Sequence, residues 1–255
     1  MHTKVKLIIP SRGRPEAAMH AAASALTNAD LPNTQVVISV DGPHDTEQHH
    51  AYLQIPGNLG ANVEVVSDPV HRGLVGTLNH RSAQVARTQL MKDHSCGRGP
   101  DCQRVTHIAF MGDDHRVRSC GWDHWLAKAA GEWGVAYGND LLRGAELPTA
   151  VVMSADIVRV LGKMAPAELW HMYCDDYWAA LGRELGSLTY LDDIVIEHMH
   201  PSAGKAEVDE SYLQTNSPEV YDADAAAWDT YLRTGLLAQD VMAIRLAIAR
   251  APRGQ

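Results

Sequence analysis

Three places in this 255-residue sequence hold titratable side chains at spacings that could do chemistry. In "FMGDDH", an apolar run ends on Gly112, two adjacent acids (Asp113 and Asp114) and His115. Adjacent carboxylates repel each other. A divalent cation shared between them and a polyanionic substrate removes the repulsion, because hard cations take carboxylate and diphosphate oxygens alike. A solvated turn is the plainer reading of the same residues. In "IEHMHP", His198 and His200 sit two apart, so a strand would present both on one face. Imidazole suits Mn2+ or Zn2+ better than Mg2+, and among 14 histidines the pair gains weight through Asp113, Asp114 and His115 rather than alone. In "MYCDDYWAALG", Asp175 and Asp176 open a helix, where the macrodipole favours negative charge. An acid held there beside a cleft could also accept a proton from a hydroxyl.

The elements around these residues read as alternating strands and helices. "KVKLIIP" predicts a strand, and residues 15–26 an alanine-rich helix with proline at its start. "TQVVISVDG" predicts a second strand, "DTEQHHAYLQ" a short helix, "ANVEVVS" a third strand and "GLVGTLNHRSAQVARTQLMK" a long helix. A loop, "DHSCGRGPDCQR", delays the fourth strand, "VTHIAFM". Strands joined through helices imply parallel neighbours. Further on, a helix at 122–131 precedes strands in "WGVAYGN" and "LPTAVVMS", then a helix capped by Ser154. Another helix follows in "DDYWAALGREL", and "LTYLDDIVIEHMHP" is strand-like. Residues 222–251 read as helix with a break at Gly235, and no linker separates independent domains. Ligands of open α/β sheets collect at the carboxyl ends of strands. Here those ends carry Pro10-Ser11-Arg12-Gly13-Arg14, Asp41-Gly42 and Gly112-Asp113-Asp114-His115.

Hydrophobic residues make up 45% of the chain, enough for a sizeable core, and the formal charge is −9. Residues 72–118 nonetheless hold eight Lys/Arg against four acids, whereas 138–230 hold seventeen acids against five bases. A basic middle in an acidic chain fits a local anion site or simply differing solvated faces. No apolar run is long enough for a bilayer span and no signal-peptide pattern opens the sequence, so a cytoplasmic location, in a bacterial cell or a phage-infected host, is expected. The four cysteines fit reduced thiols there. Cys96 and Cys102 with His94 and His107 could form a zinc clip, although the spacing matches no usual pattern.

In order and spacing, these segments resemble a GT-A glycosyltransferase of the family 2 type over residues 4–200, including the small soluble members of bacteria and bacteriophages. "VKLIIPSRGRP" is similar to that family's first strand and donor-binding loop, which assigns Pro10, Ser11, Arg12 and Arg14 to the donor. Asp41, ending "VVISVDG", corresponds to the acid that meets the nucleoside. "HRGLVGTLNHRSAQVA" resembles the glycine-and-asparagine segment, which places Gly73 and Asn79 near the donor. "FMGDDH" stands where the family has its metal-binding D-x-D motif, and "CDD" where it has x-E-D. The metal motif departs from D-x-D. Asp114 as main ligand, with a second contact from Asp113 or His115, is favoured over a D-x-H variant. In the base motif, Asp175 replaces the usual Glu.

The resemblance implies a Rossmann-like α/β fold, a mixed and mainly parallel sheet flanked by helices. Its transferase domain is expected over residues 1–221 (donor half to about 118, acceptor half 119–221), with a helical extension over 222–255. It implies a nucleoside diphosphate sugar as donor, UDP-sugar favoured, and Mn2+ or Mg2+ held by Asp114, His115, His198 and His200. Asp176, or Asp175 in its place, would be the general base of an inverting transfer, with Arg12, Arg14, Arg72 or Arg81 pairing with the diphosphate. At most two of Trp122, Trp125, Trp133, Trp170 and Trp178 are expected against ligand. The acceptor hydroxyl could lie on a glycan, a small molecule or a hydroxymethylated DNA base, the last suited by the cations at 72–118. A nucleotidyltransferase and a non-catalytic nucleotide-sugar-binding module are the alternatives.

Overall fold

The alternation of side chains along the first strand sets the architecture. In β1 (Val5–Ser11), Leu7 and Ile9 enter one apolar cluster while Ile8 enters another on the opposite face. The same division recurs in β4 (His107–Phe110), where Ala109 faces the first cluster and Ile108 and Phe110 the second. It recurs in β7 (Val151–Ser154), where Val152 opposes Val151 and Met153. Strands buried on both faces read as continuous apolar runs, and helices must cover both sides. The computed structural model describes residues 3–42, 47–90 and 104–251.

Among the described residues the sheet has eight strands in the order β3-β2-β1-β4-β7-β6-β8-β5. The remaining strands are β2 (Gln35–Asp41), β3 (Val63–Asp68), β5 (His115–Val117), β6 (Val135–Asn139) and β8 (Leu188–His198). β3, β2, β1 and β4 are parallel, as their helical crossovers require. β7 runs antiparallel to both β4 and β6, and β8 is parallel to β6. The sheet is therefore mixed and mainly parallel, as expected. β5, a three-residue strand that no sequence pattern announces, pairs antiparallel with the end of β8.

The first core lies under α1 (Pro15–Thr27), α2 (Glu47–Leu59) and α4 (Trp122–Ala130). The second lies under α3 (Gly73–Leu90), α5 (Ala155–Leu161) and α6 (Cys174–Leu185). Ser154 caps α5, accepting the Asp156 N–H at 3.3 Å. A short helix, α7 (Glu210–Thr215), leads to α8 (Pro218–Arg233) and α9 (Leu236–Arg250), which part at Gly235 with φ +77°. Tyr231, Val241 and Ile244 of these last helices are buried in the second core, so α8 and α9 pack as integral parts of it. No helix among the described residues is long and apolar enough to cross a membrane.

Candidate active site

The β5–β8 pairing explains why His115 and His198 meet. Antiparallel register sets them directly opposite each other, and their rings stack at 4.4 Å. Asp114 sits on the turn just before β5, where its carbonyl accepts the Met199 N–H at 2.8 Å. Its carboxylate then reaches both rings, with Oδ1 3.1 Å from His115 Nδ1 and Oδ2 3.2 Å from His198 Nε2. Gly112 leaves the necessary room: a Cβ there would collide with Asp114 Oδ1 and stand 3.0 Å from His115 Nδ1.

One ligand atom from each of Asp114, His115 and His198 lies within 4.8 Å of the other two. One carboxylate and two imidazoles form a donor set suited to Mn2+. Buried His115 Nε2 and His198 Nδ1 have no hydrogen-bond partner, so the stack is not explained by internal hydrogen bonding alone. Burial opposes ionisation of Asp114, but the two imidazoles override it and hold the carboxyl well below its ordinary range. Burial, helped by His198, lowers the His115 pKa and keeps its ring neutral, the form that binds metal. For His198, burial acts downward and Asp114 outweighs it, raising the pKa. A cation would compete with that proton. These residues fit a divalent ion.

Asp113 turns the other way. Its Oδ2 accepts from Ser11 Oγ at 2.6 Å, and its Oδ1 lies 3.6 Å from the Arg14 guanidinium. Burial and the neighbouring Asp114 push its carboxyl up to about 7. Asp113 is thus the readily protonated acid of the pair and Asp114 the charged one. Tyr52 braces the same loop, bonding Ser11 Oγ at 2.6 Å and accepting the Arg14 N–H at 2.8 Å. At the end of β2, Asp41 accepts the backbone N–H groups of Arg72 (2.8 Å) and Gly73 (3.1 Å), and its Oδ2 is 2.6 Å from His71 Nδ1. Arg12 lies 3.0 Å from His71 Nε2. A guanidinium only donates, so His71 accepts there and carries its proton on Nδ1, toward Asp41. Gly73 has φ +70°, and a Cβ on it would stand 2.6 Å from the Trp170 ring.

The segment 170–175 also lines the cleft. Tyr173, at φ +64°, is a non-glycine residue in the left-handed region, a strain of about 1–3 kcal/mol that surrounding contacts must hold. It turns the chain into α6 and brings Asp175 to the cleft. Burial and the adjacent Asp176 raise the Asp175 carboxyl to about 6. The cleft encloses about 310 Å3. Ser211, Tyr212, Thr215 and Asn216 close its outer edge, drawn in by Asp209, which binds Arg14 Nε at 2.6 Å and caps α7 through the Tyr212 N–H.

Twelve of the fourteen expected site residues line this cleft: Pro10, Ser11, Arg12, Arg14, Asp41, Gly73, Asp113, Asp114, His115, Asp175, His198 and His200. Asp176 and Asn79 do not line it. His200 lies outside the ligand cluster because its Nδ1 accepts the Ser202 N–H, while its ring stands edge-on to His198 at 5.0 Å. The Asn79 amide serves a neighbouring turn instead. Its Oδ1 accepts the Met164 and Ala165 N–H groups at 2.8 and 3.0 Å, and its Nδ2 donates to the Ala165 carbonyl at 2.8 Å. Asn79→Ala should therefore cost about 2–3 kcal/mol in denaturant unfolding, by leaving these groups unpaired, with nucleotide affinity unchanged once the variant is folded. Arg72 pairs with Asp68 at 2.5 Å, and Arg81 is buried beside Gln84 (2.6 Å), so neither faces the cleft. Trp170 and Trp178 are the expected tryptophans that do line it. Sequence reading passes over His71, His171, Tyr173 and the 211–216 edge, which no motif marks. Of the zinc-clip residues, His94, Cys96 and Cys102 lie outside the described residues, and His107 bonds the Gly131 carbonyl through Nε2 at 2.9 Å.

No protein-family model matches the chain, and no curated protein matches it in sequence. Solved structures do match. The mannosyltransferase PcManGT of Pyrobaculum calidifontis, in complex with GDP-Man and Mn2+, superposes with a TM-score of 0.54 at 14% identity, covering 98% of this chain and 76% of its own. S. aureus TarS 1–349 in complex with UDP gives 0.55 at 15% identity, covering 88% of this chain, which spans 65% of that one. Glucosyl-3-phosphoglycerate synthase of Mycobacterium tuberculosis, with Mn2+, UDP and phosphoglyceric acid, gives 0.52 at 12% identity over 88% of this chain and 78% of its own. At these identities the likeness is one of fold: the chain has the GT-A fold, a curled, mainly parallel sheet flanked by helices.

Proposed function

We propose that this protein is a metal-dependent glycosyltransferase that moves a sugar from a nucleoside diphosphate, UDP favoured, to an acceptor hydroxyl with inversion. The observation that carries the reading is one cleft holding both the Asp114–His115–His198 cluster and a carboxyl, Asp175, raised to about 6. Structures of the same fold bound to GDP-Man with Mn2+ and to UDP support it.

Asp114, His115 and His198 would hold the cation, which when bound supplies Lewis-acid stabilisation of the charge developing on the diphosphate. Arg12 and Arg14, at the end of β1, add guanidinium donors to the same oxygens. Arg14 is engaged with Asp209, so a diphosphate must compete with that carboxylate. Asp175, which lines the same cleft, takes the proton of the acceptor hydroxyl. A carboxyl near 6 is ionised at neutral pH yet more basic than a solvated aspartate. Asp175 is preferred to Asp176 because it lines the cleft.

A DNA acceptor draws little support from four of the eight cations at 72–118, which are engaged within the protein; Arg87 is exposed, and Lys92 and Arg98 lie outside the described residues. Arg72 pairs with Asp68, Arg104 with Asp156 and Arg118 with Glu197, while Arg116 donates to the carbonyls of Asp113 and His115. We take the acceptor to be a hydroxyl of a glycan or small molecule.

The direct test is thermal unfolding with UDP, GDP, CDP and ADP, each with and without Mn2+. Ligand at a hundredfold excess over Kd stabilises by about 2.7 kcal/mol, which at this size raises Tm by roughly 5–10 °C. One nucleotide should give such a shift only with Mn2+. No shift with any nucleotide would overturn the proposal.

A further inference from the structure

The cleft-lining segment 170–175 has three of its backbone amides gathered by one distant side chain. Three consecutive backbone N–H groups, those of Trp170, His171 and Met172, donate to the Asp224 carboxylate at 2.8, 2.8 and 2.7 Å. Asp224 lies on α8, is 3% exposed, and has no part in the ligand cluster or the cleft lining. Immediately after these amides, Tyr173 takes its left-handed turn and α6 begins, with Asp175 in its first turn. Tyr221, one turn before Asp224 on α8, packs its ring 5.6 Å from that of Tyr173. On the other side the Trp170 carbonyl accepts the Val75 N–H at 3.1 Å, tying the segment to α3. A non-glycine residue stays left-handed only where its surroundings over-determine it, and α8 provides the restraint on the upstream side.

We infer that Asp224 is a positioning residue: by gathering the amides of 170–172 it holds the Tyr173 turn, and so fixes Asp175 against the cleft. The C-terminal helices thereby take part in forming the site. A bidentate carboxylate suits three N–H donors, and an amide at the same position keeps only one accepting oxygen. The rate consequences rest on the transferase reading above; the structural consequence does not.

The test compares Asp224→Asn with Asp123→Asn. Asp123 is a control of the same kind in the other core: it is fully buried and accepts the N–H groups of Asp30, Leu31 and His124, away from the cleft. In hydrogen exchange, Asp224→Asn should speed the amides of 173–177 about tenfold or more, whereas Asp123→Asn leaves them unchanged. In steady-state release of nucleoside diphosphate from the nucleotide sugar that wild type uses, Asp224→Asn should lower kcat at least tenfold. Nucleotide affinity with Mn2+ should stay within twofold. If Asp224→Asn does not fold, Asp224→Glu, which keeps the charge and displaces it, takes its place. Unchanged exchange at 173–177 in a folded Asp224 variant overturns the inference. So does an equal loss of kcat in Asp123→Asn, which would make the effect one of general stability. If wild type turns over no nucleotide sugar, the transferase reading fails, and the exchange comparison still decides the role of Asp224.

Discussion

Asp114→Ala is expected to abolish the Mn2+-dependent part of the nucleotide thermal shift and to lower kcat/KM by about 10³-fold, the several kcal/mol that a Lewis-acid cation supplies. Asp114 is the only carboxylate in contact with both stacked imidazoles among the described residues. Without it, two neutral histidines remain, too few donors to hold Mn2+ against water. Asp113 cannot substitute, because Ser11 and Arg14 hold it toward the β1 loop and its carboxyl is raised to about 7. Asp113→Asn should therefore retain Mn2+ binding within about tenfold, the scale of a supporting contact. Equal losses in the two variants, measured by isothermal titration with Mn2+, would overturn the assignment of Asp114 as main ligand. The dependence on pH has a definite sign. A cation displaces the proton that Asp114 favours on His198, so apparent Mn2+ affinity in wild type should rise as pH passes upward through the raised histidine pKa.

How far the sequence foretells this arrangement depends on the range of the interaction involved. β1, β2 and β4 are legible because burial on both faces leaves uninterrupted runs such as Val36–Val37–Ile38, and ligand-facing residues must then follow at their carboxyl ends. The cluster of Asp114, His115 and His198 is legible as a chemical possibility. Its geometry is not, because it depends on β5, whose three residues show no period and which forms only by lying along β8. Asn79 illustrates the opposite case. The resemblance assigns it to the donor, yet it sits on the α3 face that meets the 164–165 turn, where unpaired amides need a partner more than a ligand does. The cleft's outer edge depends on Arg14 and Asp209, 195 residues apart, and its inner wall on Asp224 accepting backbone amides. Backbone amides carry no residue identity, so such an anchor leaves no motif to read.

Asp175→Asn should make the protein more stable and nearly inactive at once, and that pairing separates a catalytic carboxylate from a structural one. The Asp175 carboxyl stands near 6 in the folded protein, against about 3.9 in an unfolded chain. Its raised pKa means that the folded state prefers the protonated form. The favourable contribution is present below about pH 4, fades as pH climbs to 6, and at pH 7 the ionised side chain works against folding. Asparagine removes that charge. The variant should match wild type near pH 4 and exceed it at pH 7 by about 1–2 kcal/mol, allowing for partial solvation, or roughly 3–6 °C in Tm. Activity should move the other way. Loss of a general base lowers kcat by about 10²–10⁴-fold, and nucleotide affinity should stay unchanged because Asp175 is not part of the Asp114–His115–His198 cluster. Wild-type kcat should rise with pH to a plateau above about 6, and the residual activity of the variant should lack that limb. Asp176→Asn, a change one residue farther into α6 and off the cleft, should cost less than tenfold. A variant at 175 that is both less stable and fully active would make this carboxyl a helix-start residue and nothing more, and a larger loss at 176 would return the base to that position. Stability gained where activity is lost follows from the same cause as the raised pKa: burial and a like charge keep Asp175 basic enough to take a proton, and the fold carries the cost.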